Sequence, residues 1–240
     1  LGSTSVTGIH VSSLHALKVS LGLIAPQEPV KVVNPFLMLG EVDEALRKRL
    51  EIDTIALPTL GNAFGFENKN WKPWKLFDGT PVLVPGKFNT IPDVNGNIFQ
   101  YPKGDKRYQP SACMPNGGFY HDPLIRKKEI IESELTIENQ TEEYTILKEE
   151  NLRFYQTEAE RLFRDTQYGI IFRGVAGSNL GDIAHIPGCS LPDPKGIRDF
   201  EEWYISLLTR EEFIKDVFAR MTEIAIENLK LFYQAVGSKI

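Results

Sequence analysis

The feature that most constrains the fold is a short apolar run that ends in a glycine-rich loop. Residues 168–173 read Tyr-Gly-Ile-Ile-Phe-Arg, a composition typical of a strand that is buried on both faces. Gly174, Gly177, Ser178 and Gly181 follow at once. In α/β enzymes, ligands bind beside the carboxyl ends of such strands. The pattern therefore predicts an α/β protein whose chemistry lies at this loop.

Helical periodicity in the first quarter of the chain fits the same class. A first helix is predicted to begin at the capping residues Ser12 and Ser13 and to end at Gly22. A second helical stripe is formed by Leu39, Val42, Leu46 and Leu50. A short buried strand is predicted at residues 52–57, where Pro58 stops it. This order of helix and strand is that of an α/β protein.

The second half of the chain is predicted to be mainly helical. Residues 126–150 are highly charged and are predicted to be solvated. The helix that follows has its apolar positions at Leu152, Tyr155, Ala159, Leu162 and Phe163. Two helices fill the last third, and Thr209 with Glu212 forms a predicted capping box for the longer one. Gly237 is predicted to end that helix.

The segment at about 61–123 differs from the rest of the chain. Asp78-Gly79 and Asn95-Gly96 each lie between short runs rich in β-branched, leucine and aromatic residues, which is the local signature of a β-hairpin. The segment is therefore interpreted as an antiparallel insertion within a single α/β domain.

Composition excludes several classes of partner. The net charge is −5, from 27 basic and 32 acidic residues, and no stripe of Lys and Arg could follow a phosphate backbone, so no nucleic-acid partner is expected. Apolar runs are far shorter than a bilayer requires, so no membrane partner is expected either. Cys113 and Cys189 lie far apart and form no metal-ligand pair, which predicts a cytoplasmic protein.

Four motifs resemble the uroporphyrinogen decarboxylase superfamily. They are residues 2–13 (Gly-Ser-Thr-Ser-Val-Thr-Gly-Ile-His-Val-Ser-Ser), 47–53 (Arg-Lys-Arg-Leu-Glu-Ile-Asp), 78–85 (Asp-Gly-Thr-Pro-Val-Leu-Val-Pro) and 110–120 (Pro-Ser-Ala-Cys-Met-Pro-Asn-Gly-Gly-Phe-Tyr). Each motif alone is weak, but their order and combination are specific. The resemblance implies a partial (β/α)8 TIM barrel with an inserted β-hairpin region. It also implies that residues 1–240 are the N-terminal part of that barrel, with the closing strands absent.

Two reactions are compatible with this resemblance. The decarboxylases remove the acetate arms of uroporphyrinogen without a cofactor, in tetrapyrrole biosynthesis, and have an arginine-rich segment after the first strand. Here residues 2–13 contain no Arg or Lys, and the strand before Thr59 lacks the family's Phe-Ser-Asp motif. Because a substrate with many carboxylates needs several fixed guanidinium groups, these departures favour the other branch, the corrinoid-linked methyltransferases. A third alternative is an inactive fragment that acts only as a binding module.

The expected site residues follow from the loops after the predicted strands. His10 and Arg173 are the candidate catalytic residues, with a helix-start hydrogen bond and a structural salt bridge as their respective alternatives. The candidate substrate-binding residues are Ser3, Thr4, Thr59, Gly174, Gly177 and Ser178. The glycines would bind an anion through backbone N–H groups, or would only permit tight turns.

The resemblance also implies cofactors and partners. Zinc and a corrinoid are implied for the methyltransferase branch, and no cofactor for a decarboxylase. The zinc ligands are expected outside this fragment, so no metal site is expected within it. The expected partners are a small-molecule substrate, a corrinoid protein and a second copy of the chain in a homodimer.

Overall fold

The computed structural model describes Thr4, residues 7–174 and residues 179–240. The helices are α1 (Val11–Ser20), α2 (Glu44–Arg49), α3 (Ile137–Gln140), α4 (Glu149–Asp165), α5 (Phe200–Thr209) and α6 (Glu211–Val236). The strands are β1 (Val30–Asn34), β2 (Leu39–Gly40), β3 (Thr54–Ala56), β4 (Lys72–Lys75), β5 (Pro81–Val84), β6 (Ile98–Gln100), β7 (Ala112–Met114), β8 (Asp122–Pro123) and β9 (Gly169–Ile171). Within these ranges the strands form three sheets, none of which closes into a barrel. The predicted mixed α/β class is confirmed.

The largest sheet has the strand order β2-β1-β5-β4. β5 runs parallel to β1, with Val30 opposite Val82, whereas β2 and β4 are antiparallel to their neighbours. The predicted hairpin at Asp78-Gly79 is confirmed as the β4–β5 connection, in which Gly79 adopts a φ of 85°. Because β5 pairs with β1, the predicted insertion shares a sheet with the N-terminal part of the chain.

Helix α1 packs on this sheet through its fully buried residues Val11 and Leu14. Its N-cap is His10, whose ring accepts a hydrogen bond from the N–H of Ser12, so the prediction of Ser12 and Ser13 as caps is wrong. A Cβ atom on Gly40 would lie 2.5 Å from Leu14 Cδ2, so glycine at this position permits the close approach of α1 to β2. The helix ends before Gly22, as predicted.

Helix α2 begins later than its apolar stripe predicts. Leu39 belongs to β2, where strand pairing buries it, and the Asp43 carboxylate caps the helix by accepting the N–H of Leu46 (3.1 Å). The Lys18 ammonium donates to the other Asp43 oxygen (2.5 Å). This ion pair ties α1 to the start of α2.

The third sheet has the strand order β6-β7-β8, with antiparallel pairs throughout. Asp93 accepts hydrogen bonds from the N–H groups of Asn95 and Asn97 and so forms a turn that leads into β6. Residues 85–97, all of which the structure describes, contain no strand. The prediction of a hairpin at Asn95-Gly96 is therefore wrong, because β6 pairs with the later strand β7.

The two remaining strands, β3 and β9, form a parallel pair. They are shorter than the predicted strands 52–57 and 168–173, and α4 immediately precedes β9. A hydrophobic core, called here the β3–β9 core, joins this pair to α4 and α6. Its buried members are Leu57, Tyr155, Ala159, Leu162, Ile170, Phe232 and Val236. Phe163 is 60% exposed, so its assignment to the apolar face of α4 is wrong.

The C-terminal helices confirm one predicted boundary and correct another. Thr209 lies in the last turn of α5 and donates its hydroxyl to the Ile205 carbonyl, while Arg210 occupies the N-cap of α6. The predicted capping box is therefore wrong. Gly237 ends α6 as predicted, with a φ of 62°. Among the described residues, no helix has the length and apolar character that a membrane span requires.

Candidate functional site

The carboxyl ends of β3 and β9 meet at one edge. Thr54, Ile55 and Ala56 lie opposite Gly169, Ile170 and Ile171, and the next N–H, that of Leu57, donates to the Ile171 carbonyl (2.8 Å). Thr59 follows the first strand, and Arg173 and Gly174 follow the second. The structure therefore brings three of the predicted site residues to the same edge of a parallel pair, the position where α/β proteins bind ligands.

The side chains at this edge are open to solvent. Arg173 is exposed and makes no ion pair with any residue that the structure describes. Thr59 is also exposed, and its hydroxyl donates to the Gly61 carbonyl (3.0 Å). Gly174 has a φ of 144°, a backbone angle that residues with a Cβ atom rarely adopt. The edge thus presents to solvent one hydroxyl and one guanidinium that no described carboxylate pairs with.

The other predicted residues are not placed at this edge. Thr4 contacts the Thr7 hydroxyl (3.0 Å) before the start of α1. Ser3, Gly177 and Ser178 lie outside the described residues.

His10 has structural partners on both of its ring nitrogens. Nδ1 accepts from the N–H of Ser12 (3.3 Å), and Nε2 donates to the Phe119 carbonyl (3.0 Å). The ring also contacts Phe119 and Tyr120 edge to face. None of these residues belongs to the β3–β9 edge, so the observed contacts of His10 are those of a helix cap.

A buried ion cluster lies within the segment that the sequence predicts to be solvated. The Arg198 side chain is 2% exposed and pairs with Glu142 (3.1 Å) and Glu143 (3.5 Å). Gln140 and Thr141 are buried as well. The prediction that residues 126–150 are solvated is therefore wrong in this part, because an arginine distant in sequence neutralises the two carboxylates.

Arg198 and Arg126 both hold residues 186–191 in place through hydrogen bonds. Arg198 donates to the Ile186 carbonyl (3.4 Å), and Arg126 donates to the carbonyls of Gly188 (2.5 Å) and Leu191 (2.6 Å). Ser190 adds a hydroxyl hydrogen bond to Glu143 (3.0 Å). These charge-assisted bonds fix an irregular segment that has no strand or helix of its own after Ile186.

Burial governs the protonation of this cluster. It raises the pKa of the Glu143 carboxyl, although the Arg198 charge and the Ser190 hydrogen bond oppose the shift. It raises the pKa of Cys189 to about 12 and that of Tyr144 to about 12. Cys189 is therefore almost entirely a thiol at neutral pH, whereas the thiolate is the nucleophilic form of cysteine. The cluster organises the segment rather than supplying a reactive group.

A second buried titratable group is His121, which is 2% exposed and packs edge to face against Phe64 and Phe88. Neither ring nitrogen forms a hydrogen bond within the described part of the chain. Burial lowers the pKa of His121 to about 4, with the carbonyls of Phe36 and Pro35 opposing the shift. The imidazole is therefore neutral at physiological pH.

Zinc in proteins is held by Cys, His, Asp and Glu side chains. Among the described residues, no group of three or more His, Cys, Asp and Glu side chains is placed to hold a metal ion. The described residues therefore do not fit a zinc site.

Comparison with known proteins gives no family assignment. No model of a known family matches the chain, and neither a curated protein nor a solved structure matches it. The functional assignment therefore rests on the residues and their geometry.

Proposed function

We propose that this chain is part of an enzyme of the uroporphyrinogen decarboxylase superfamily, a corrinoid-linked methyltransferase that moves a methyl group to or from a small acceptor. The observation that supports the proposal is the β3–β9 parallel pair, with α4 immediately before the second strand. Thr59, Arg173 and Gly174 lie beyond its carboxyl ends. In a (β/α)8 barrel these ends form the mouth where substrate binds. The proposal therefore includes a partial barrel of this type.

The charge at this edge favours methyl transfer over decarboxylation. The segments 57–62 and 172–174 carry a single charged residue, Arg173. One guanidinium can hold one carboxylate or sulfonate in a bidentate manner, which suits a small acceptor with one anionic group. A tetrapyrrole with many carboxylates would require further cations, and residues 2–13 supply none.

In this proposal the residues of the edge bind and orient the acceptor. Arg173 would hold its anionic group, and the Thr59 hydroxyl would donate a hydrogen bond to it instead of to Gly61. The resemblance to the superfamily implies the other participants in the reaction. They are a corrinoid protein that carries the methyl group and zinc ligands that lie outside the described residues.

The test is a substitution of Arg173 by glutamine in the protein encoded by the complete gene. Methylcobalamin is the methyl donor, and mercaptoethanesulfonate and uncharged mercaptoethanol are compared as acceptors. Loss of a charge-assisted hydrogen bond raises KM for the anionic acceptor about tenfold or more, with little change for mercaptoethanol.

Arg153→Gln is the matched control, because Arg153 is an exposed arginine on α4 that pairs with Glu149. It is expected to leave both acceptors unaffected. Equal effects of Arg173→Gln on the charged and the uncharged acceptor would remove the role assigned to Arg173.

A further inference from the structure

An open cleft with a volume of about 450 Å³ lies next to the segment that Arg126 and Arg198 hold. It is lined by residues 107–109, 126–127 and 192–195, together with Glu134. Its volume falls in the range of about 300–1,000 Å³ that small-molecule sites occupy. None of the site residues predicted from the sequence lines it.

The lining of this cleft is rich in basic side chains. The basic residues are Arg107, Arg126, Lys127 and Lys195, and the acidic residues are Glu134 and Asp193. Lys127 is neutralised by an ion pair with Glu134, and Arg107 by one with Asp105 (2.6 Å). Arg126 and Lys195 make no ion pair with any residue that the structure describes. Among the described residues, the cleft therefore contains two cations and one carboxylate, Asp193, that form no ion pair, so its lining is net positive.

Arg126 is the more constrained of the two. It is partly buried, and its terminal nitrogens are fixed on the carbonyls of Gly188 and Leu191. Its Nε–H group is buried and has no hydrogen-bond partner within the described part of the chain. Asp193 attracts the Arg126 charge but does not lie within ion-pair distance. A partly buried cation without a contacting anion is costly, so an anion that enters the cleft gains a favourable interaction.

We propose that this cleft binds a small organic oxyanion, either a carboxylate or a phosphate, with Arg126 and Lys195 as its cationic anchors. Tyr108, Pro192 and Pro194 supply apolar surface for the organic part of the ligand. The cleft shares no residue with the β3–β9 edge. A failure of anion binding at the cleft is therefore distinguishable from a failure of the proposed methyl transfer.

The test measures binding of inorganic phosphate and of succinate to the protein by titration calorimetry, at an ionic strength matched with sodium chloride. The wild-type protein is expected to bind one of the two anions, and the stronger of them identifies the ligand class. Arg126→Gln weakens this binding about tenfold or more, the effect of a lost charge-assisted hydrogen bond. Lys195→Gln weakens it about fivefold, as expected for a more exposed charge.

Lys195→Gln is the decisive variant, since the Lys195 side chain is exposed whereas Arg126 also holds residues 186–191. Lys230→Gln, an exposed cation of α6, is the matched control and should bind as the wild type does. The proposal is overturned if the wild type binds neither anion at matched ionic strength. It is also overturned if Lys195→Gln, with an unchanged circular dichroism spectrum, binds like the wild type.

Discussion

Replacing His121 by leucine tests how burial among aromatic rings controls an imidazole. The ring contacts Phe64 and Phe88, and among the described residues neither nitrogen has a hydrogen bond of good geometry, although the Phe36 and Pro35 carbonyls lie near enough to influence its pKa. At pH 7.5 leucine removes two unsatisfied buried nitrogens while it keeps an apolar side chain in the core. We therefore expect His121→Leu to be at least as stable as the wild type at this pH.

The predicted effect appears as the pH falls. The pKa of His121 is lowered from 6.5 to about 4 in the folded protein. The unfolded chain therefore binds more protons than the folded one between these two values, and stability is full above the unfolded pKa and is lost as the pH falls toward the folded pKa. The shift of about 2.5 units corresponds to about 3 kcal/mol in total, of which about 2 kcal/mol is lost by pH 5.

Urea unfolding at pH 7.5 and pH 5 measures this difference. The wild type should lose about 2 kcal/mol more unfolding free energy than His121→Leu between the two pH values. His185→Gln is the matched control, because His185 is exposed, and it should lose as much as the wild type. If His121→Leu and the wild type lose equal amounts, the burial argument for His121 is refuted.

Three further predictions concern stability and reactivity. Phe232→Ala removes a ring that stacks on Phe172 in the β3–β9 core and should cost about 3–5 kcal/mol in urea unfolding, whereas Tyr233→Ala, at a position 65% exposed, should cost less than about 0.5 kcal/mol. Cys189 should react with iodoacetamide about a thousandfold more slowly than an unperturbed thiol at pH 8, because its pKa is raised to about 12 by burial; fast labelling of the native protein would contradict this. Asp43→Ala removes the N-cap of α2 and should cost about 1–2 kcal/mol at pH 7. Burial opposes the shift, but the hydrogen bonds from Lys18 and from the Leu46 N–H lower the pKa of the Asp43 carboxyl in the folded protein. That difference should therefore shrink as the pH falls below 3.8, the ordinary value for aspartate.

Local sequence patterns correctly predict the elements that depend on one or two neighbouring residues, such as helix ends and a tight turn. The helix ends at Gly22 and Gly237 and the hairpin at Asp78-Gly79 are confirmed, because each depends on a positive φ that glycine tolerates at the residue itself. The spacing in α4 correctly identifies Tyr155, Ala159 and Leu162 as buried. Phe163 lies beside this face and is exposed, since apolar character alone does not fix the edge of a helical stripe.

The features that sequence reasoning missed depend on long-range pairing. β1 was not predicted, because its burial depends on pairing with β2 and β5. Arg198 lies more than 50 positions from its partners Glu142 and Glu143. A run of charged residues has the composition of a solvated segment, and the sequence does not show that a distant arginine buries part of it. Arg126 is not predictable as a site residue for the same reason, because in the sequence it is only one arginine within a charged run.

The part of the candidate site that could be predicted follows from strand order. Thr59 and Arg173 each follow a short apolar run, and strands of that kind place their ends at one edge when they pair in parallel. The pairing itself brings residues 54–56 next to residues 169–171, which no local pattern encodes. The exposure of Arg173 was likewise not predictable, because it depends on which elements cover the edge.

The proposed reaction is tested most directly by offering both substrates of the superfamily to the protein encoded by the complete gene. Methylcobalamin with mercaptoethanesulfonate is assayed by mass spectrometry of the methylated thiol, and uroporphyrinogen is assayed by release of carbon dioxide. A corrinoid-linked methyltransferase is expected to give methylated thiol and no carbon dioxide, with Arg173→Gln reducing the yield at limiting thiol. Release of carbon dioxide from uroporphyrinogen without methyl transfer would contradict this expectation.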